Sequence, residues 1–231
     1  MEDSGIRLCM VLKSIAIGDG MVYNSFLSGN RFPANINETY KGDIAMKKLF
    51  EFKTRTLVAT GLGAALFTLL FMFIKIPTGF PDTNIQTAYG VGAFFATLFG
   101  PIAGFLIAFI GHALSDAVQY GTPWWSWVIA SGLSCFLVGL CYPKMNVEEG
   151  IFGKKDVIRF NVYQIIANAI AWIVVAPVLD IVIYSQPANY VFTQGVIAMI
   201  TNSISAGVIG SLLLLVYSKT RSKKGSLSQE D

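Results

Sequence analysis

Apolar residues gather into six blocks along the chain, separated by short polar or proline-bearing stretches. The blocks run over about Leu57–Ile74, Thr87–Leu98, Pro101–Val118, Trp124–Cys141, Val162–Tyr184 and Phe192–Tyr217. Five of them approach or exceed the roughly 20 residues that a helix needs to cross a bilayer. The second is short and glycine-rich, and Phe99-Gly-Pro behind it predicts a tight hairpin with the third. The pattern predicts an all-α membrane protein, a bundle of six transmembrane helices.

From just before the third block, Gly100, Gly104 and Ala108 recur every four positions, and the same row reaches His112 and Asp116. His112 is the only histidine, and with Asp116 and Gln119 it falls within an arc of about 60° on a helix. Ionisable groups in membrane helices are costly and face a cavity or one another. Ligand contact, a structural His–Asp hydrogen bond and a proton relay all fit. A Gln-Tyr-Gly-Thr-Pro turn leads from this row to Trp124, Trp125 and Trp127. Indoles at this depth serve as an interfacial belt or stack on a flat ligand. Three so close together imply that at least one turns inward. The fifth block places Asn161, Gln164, Asn168 and Trp172 on one face, and the sixth places Gln194, Thr201 and Ser205 together with Asn202 beside them. Buried amides in apolar helices need partners from other helices or from a ligand.

Composition agrees with the membrane reading. The chain is 54% hydrophobic and 13% charged, about half the charged fraction of a soluble domain. Charge position then predicts topology. Lys47, Lys48, Lys53 and Arg55 precede the first block; Lys144, Lys154, Lys155 and Arg159 lie between the fourth and fifth; Lys219, Arg221, Lys223 and Lys224 follow the sixth. Basic loops stay inside, so both termini are expected in the cytoplasm, and His112, Asp116, Trp172, Asp180 and Gln194 in the middle or outer half of the bilayer. The loop IPTGFPDTNIQTAY after the first block is then outside, either a solvated connector or a lid. Small residues in Ala59-Thr-Gly-Leu-Gly63 form a flat face for another helix, inside the bundle or on a partner.

Other chemistry is missing from the chain. Gly153-Lys154-Lys155 lacks the upstream glycine and the hydroxyl residue of a P-loop. One histidine and no G-x-S-x-G motif argue against a serine hydrolase. Cys9, Cys135 and Cys141 show no metal or disulfide spacing, and no metal site is expected. The basic clusters hug the membrane ends and do not predict nucleic-acid binding. Residues 1–45 lack a signal-peptide pattern, whereas Met46-Lys-Lys-Leu looks like a bacterial start. Codons for Lys41-Gly42-Asp43 can spell a ribosome-binding sequence just upstream. Residues 1–45 are therefore expected to be a poorly ordered leader or a misassigned start, with a cytoplasmic extension as the alternative. Residues 46–219 form the membrane domain and 220–231 a cytoplasmic tail.

The run IPTGFPDTNIQTAY followed by FGPIAGFLIAFIGHALSDAVQYGTPWWSWVIASG resembles the substrate-binding S components of energy-coupling factor (ECF) vitamin transporters, in particular the group named for riboflavin. The resemblance covers about Met46 to Lys219. It implies a non-enzymatic, multi-pass subunit of a bacterial cell membrane that binds a vitamin, taken as riboflavin, in an outward-facing pocket. It also implies a transmembrane coupling protein and two ATPase subunits as partners, and a vitamin held as cargo, with no cofactor. Candidate ligand contacts are Asn84 in the lid, His112, Asp116, Trp124, Trp125, Trp127, Asn168, Trp172 and Gln194. Ala59 and Gly63 become candidates for docking the coupling protein. Asp82 stands where the family's pattern leads us to expect asparagine. Hydroxymethylpyrimidine or another vitamin precursor is the rival cargo. A stand-alone proton-coupled transporter using His112 and Asp116, or a structural subunit without ligand, are the rivals in function.

Overall fold

A computed structural model describes residues 53–221. The expectations for residues 1–45, and the basic residues Lys47, Lys48, Lys223 and Lys224, lie outside the described residues. Six helices follow one another: α1 (Thr54–Phe73), α2 (Ala88–Phe99), α3 (Pro101–Tyr120), α4 (Trp125–Gly139), α5 (Lys154–Tyr184) and α6 (Ala188–Lys219). Among the described residues, five are long and apolar enough to cross a membrane, and α2 is the shorter sixth. Its 12 residues extend only about 18 Å at 1.5 Å per residue.

The shortness of α2 has a structural counterpart. Nine of its twelve residues are buried, so it is a central helix wrapped by the others. Gly100 alone joins it to α3; its φ of 89° belongs to the left-handed region that glycine enters freely, and Pro101 starts α3 at once. The tight hairpin expected from Phe99-Gly-Pro is present.

Lipid tails are as apolar as leucine, so close packing, more than water exclusion, holds such helices together. The small residues supply it. A Cβ on Gly104 would sit 2.6 Å from Ala96 Cβ, and one on Gly139 would sit 2.5 Å from Pro101 Cα. Gly63 is buried, and a Cβ there would meet the Ile107 side chain at 2.7 Å. Gly63 therefore packs against α3 and Ala59 is half-buried, whereas the small residues on the exposed face of α1 are Gly61 and Ala65. Sequence spacing leaves internal packing and a partner interface both open for this row; the docking expectation for Ala59 and Gly63 comes from the family resemblance, and Gly63 faces inward.

Two helices are interrupted by single wide turns, at Ile170–Val175 in α5 and Ala206–Gly210 in α6. Pro177 follows the first; without an N–H, and with a ring that crowds the preceding turn, it cannot continue a regular ladder. The connection between α1 and α2 is a small β-hairpin, β1 (Lys75–Pro77) paired antiparallel with β2 (Asn84–Gln86), Ile76 opposite Ile85. The sequence suggested only a loop here. Thr78 Oγ1 donates to Thr83 O at 2.6 Å, and Gly79 (φ 85°) and Asp82 (φ 52°) take left-handed conformations in the turn. Asparagine and aspartate both tolerate that conformation, so Asp82 satisfies the backbone as the expected asparagine would.

Candidate functional site

At the end of the bundle where α1, α3 and α5 finish and α2, α4 and α6 begin lies a cavity of about 560 Å³. The described basic residues Arg55, Lys144, Lys154 and Lys219 belong to the opposite helix ends. The cavity is bounded by the hairpin through Asn84 and Gln86, by α3 through His112 and Asp116, by Trp124 and Trp127, and by α6 through Gln194 and Asn202. Lys75 is the only lysine or arginine among the described residues that line it, against carboxylates at Asp82, Asp116 and Asp180.

The row on α3 does what its i, i+4 spacing allows. His112 Nε2 lies 3.4 Å from Asp116 Oδ1, and both side chains are buried. His112 Nδ1 is 2.6 Å from Ser131 Oγ on α4, and Ser131 shares a 2.7 Å hydrogen bond with the Tyr89 hydroxyl on α2. A polar chain thus runs Asp116–His112–Ser131–Tyr89 and fixes the imidazole from both sides. Phe71 covers its face, with ring centroids 4.2 Å apart. Asp116 also accepts the Trp124 backbone N–H at 3.0 Å, tying the end of α3 to the start of α4.

Asp180 is the organiser that the sequence reading left out of the site. Its Oδ1 accepts the Trp124 indole N–H at 2.7 Å and the Ser126 hydroxyl, and its Oδ2 accepts the Trp127 indole N–H at 2.7 Å. One buried carboxylate therefore aims two of the three tryptophans. Trp124 stacks on Tyr184 (4.2 Å, 29°) and Trp127 leans on Trp172 (5.2 Å). The sequence carried one signal for this: an aspartate in the apolar stretch that ends a membrane helix demands donors.

The other candidates divide by location. Asn84, His112, Asp116, Trp124, Trp127 and Gln194 line the cavity. Trp125 is absent from the lining; it is exposed, and its backbone N–H donates to Tyr184 Oη at 3.0 Å. Trp172 and Asn168 are fully buried beneath the cavity. The Trp172 indole donates to Asn168 Oδ1 at 2.9 Å and Asn168 Nδ2 to Gln164 O at 2.8 Å, while Gln164 Nε2 reaches Ser203 O of α6 at 3.2 Å. These amides find their partners in the protein. Angular position on a helix cannot distinguish a ligand-facing amide from one that faces a neighbouring helix.

The hairpin closes one side. Lys75 Nζ donates to Gln119 Oε1 at 2.9 Å, Phe80 meets Tyr190 of α6 with centroids 5.4 Å apart, and Ser205 Oγ donates to Gln86 O at 2.6 Å. Phe80→Ala removes the ring contact and is expected to speed ligand dissociation several-fold with little change in thermal stability, as stopped-flow fluorescence will measure.

A helical membrane bundle with an aromatic and polar cavity at one end is built as a membrane-embedded binding subunit. Residues 51–219 match the model of the family described as ECF-type riboflavin transporter, S component, and the chain belongs to that family. It is therefore an S component of a vitamin transporter, embedded in the membrane, a partner of ECF components and not an enzyme. Curated relatives are UPF0397 proteins: one from Exiguobacterium sp. is 55% identical over 179 residues (78% of this chain, 98% of the relative), one from Lacticaseibacillus casei 53% over 176 (76% and 95%), and one from Streptococcus gordonii 51% over 187 (80% and 100%). No solved structure matches the chain.

Proposed function

We propose that this S component captures riboflavin from outside the cell, holds it in the cavity beneath the hairpin, and delivers it to the cytoplasm within a complex of a transmembrane coupling protein and two ATPases. The observation that carries the reading is the cavity itself. Its volume lies in the range of small-molecule sites, and its indoles and tyrosines offer faces to a flat ring. Apart from Lys75 at the cavity, the described basic residues sit at the far helix ends, so the positive-inside rule turns the cavity outward and both termini inward. Riboflavin is the substrate in the family's description, and the vitamin is cargo, not a cofactor. Of the candidates, Asn84, His112, Asp116, Trp124, Trp127 and Gln194 are assigned to ligand contact, and Trp125, Asn168 and Trp172 to support of the wall.

Purification in detergent tests this directly. The protein is expected to carry a yellow chromophore with the mass and absorbance of riboflavin, or to bind added riboflavin below micromolar concentration. Co-purification of hydroxymethylpyrimidine instead would replace the cargo, and uptake that persists without partner ATPases would replace the energy source by a proton relay. His112→Ala is expected to weaken riboflavin binding about 10-fold, roughly 1.4 kcal/mol, in a titration followed by quenching of flavin fluorescence. Unchanged affinity would assign His112 to structure alone.

A further inference from the structure

Among the described residues, three buried side-chain atoms have no hydrogen-bond partner: Gln86 Oε1, Asn202 Oδ1 and Ser203 Oγ. Gln86 and Asn202 line the cavity, and Ser203 does not. Gln86 is 6% exposed and Asn202 3%, so neither amide has bulk water to turn to. Buried polar groups are almost always paired, and two unpaired amide oxygens on the cavity wall mark a place where a ligand supplies the missing bonds.

The two amides come from different elements that the fold brings together. Gln86 ends strand β2, and its carbonyl oxygen accepts the Ser205 hydroxyl of α6 at 2.6 Å. Asn202 precedes Ser205 by three residues and so lies on the same face of α6, one turn away. The bond that anchors the strand to α6 thus sets the Gln86 side chain beside the turn that carries Asn202. Several other polar groups in the cavity wall are already engaged. Asp180 holds three donors, His112 is fixed by Ser131 and Asp116, and Lys75 bonds Gln119.

A carboxamide carries one donor group and one acceptor side by side, and it turns about its last torsion, which is broad and soft. Such a group pairs best with an edge that offers a donor next to an acceptor, as when asparagine or glutamine meets the amino and ring nitrogens of adenine. Resting on the reading of this cavity as a vitamin site, we infer that Gln86 and Asn202 form the specificity subsite and read the alternating donor–acceptor edge of the cargo's heterocycle, an imide or an aminopyrimidine, and not its hydroxylated tail. An imide edge supplies an N–H between two carbonyl oxygens, and an aminopyrimidine edge an amino group beside a ring nitrogen. A phosphate supplies neither, and three carboxylates against one lysine disfavour its charge.

The experiment measures dissociation constants of the purified full chain in detergent for riboflavin, 3-methylriboflavin (imide N–H blocked), lumiflavin (same ring edge, no ribityl tail) and 4-amino-5-hydroxymethyl-2-methylpyrimidine. Wild-type protein is expected to prefer riboflavin over its 3-methyl derivative by at least 30-fold, a comparison that needs no variant to fold. Gln86→Met and Asn202→Leu are each expected to lose at least 10-fold for riboflavin and the same factor for lumiflavin, and to discriminate the methylated ligand less than threefold. Ser203→Ala, unpartnered but outside the cavity, is expected to match wild type. Variants that lose affinity for riboflavin but not for lumiflavin would assign the amides to the tail and overturn the inference, as would equal wild-type binding of the methylated ligand. Binding of the pyrimidine in place of riboflavin would end the riboflavin reading alone. The inference then stands if both variants lose 10-fold for the pyrimidine, and falls if they do not. A wild-type protein that binds none of the four overturns both.

Discussion

Asp180→Ala is expected to lower affinity for the proposed riboflavin cargo by at least 100-fold and to cost on the order of 3–5 kcal/mol of stability. This carboxylate is 2% exposed and accepts hydrogen bonds from the Trp124 indole, the Trp127 indole and the Ser126 hydroxyl. Removing it leaves three donors aimed at an empty site. Each unpaired buried donor costs about 1–3 kcal/mol, with the lower end appropriate to Trp124, which is 41% exposed. The functional effect follows from position. Without their common acceptor the two indoles no longer hold a fixed angle to the cavity, and a ligand must order them on binding. A loss of about 2.8 kcal/mol corresponds to the 100-fold change. Asp180→Asn keeps one acceptor oxygen but points an N–H₂ at a donor, so its defect is expected to be intermediate. Thermal unfolding in detergent and flavin fluorescence titration measure the two effects. Wild-type affinity in Asp180→Ala would show that the indoles are held by packing alone.

Gly195→Ala is expected to destabilise the protein by about 2–4 kcal/mol, near the upper range for overpacking, and to weaken ligand binding in parallel. A Cβ at Gly195 would collide with the backbone oxygen of Trp172 and lie 3.0 Å from Pro177 Cγ. Neither neighbour yields easily, since one is main chain in the wide turn of α5 and the other a closed ring. Helix α6 would have to move away from α5 and carry with it Gln194, the next residue back, and Asn202, both on the cavity wall. Gly61→Ala is the matching control: a Cβ there meets nothing within 4 Å, and Ala is a better helix former than Gly by about 1 kcal/mol. Differential scanning fluorimetry of the pair separates the two cases, and a Gly195→Ala protein as stable as wild type would contradict the packing argument.

Much of the architecture was legible in the sequence. Six apolar blocks became six helices, the short second block became a short helix, and Gly100-Pro101 made the predicted hairpin, because helix length and glycine–proline chemistry are local properties. The His112–Asp116 pairing was also local, since four residues make one turn. The hairpin between α1 and α2 was not legible, because three-residue strands depend on pairing across the turn and leave almost no pattern of their own.

The sequence by itself determined that the chain lives in a membrane, where its helices run, and which polar residues would need partners there. Only the tertiary structure decided who those partners are. Asp180 reaches across to the tryptophans from 53 to 56 residues away, Asn168 and Trp172 turn to each other, and Gly63 faces α3 while Gly61 and Ala65 face outward. Spacing along one helix fixes which side chains share a face. Which face meets a neighbour, a cavity or lipid depends on how the other helices pack around it, and that is a sum over contacts far apart in the chain.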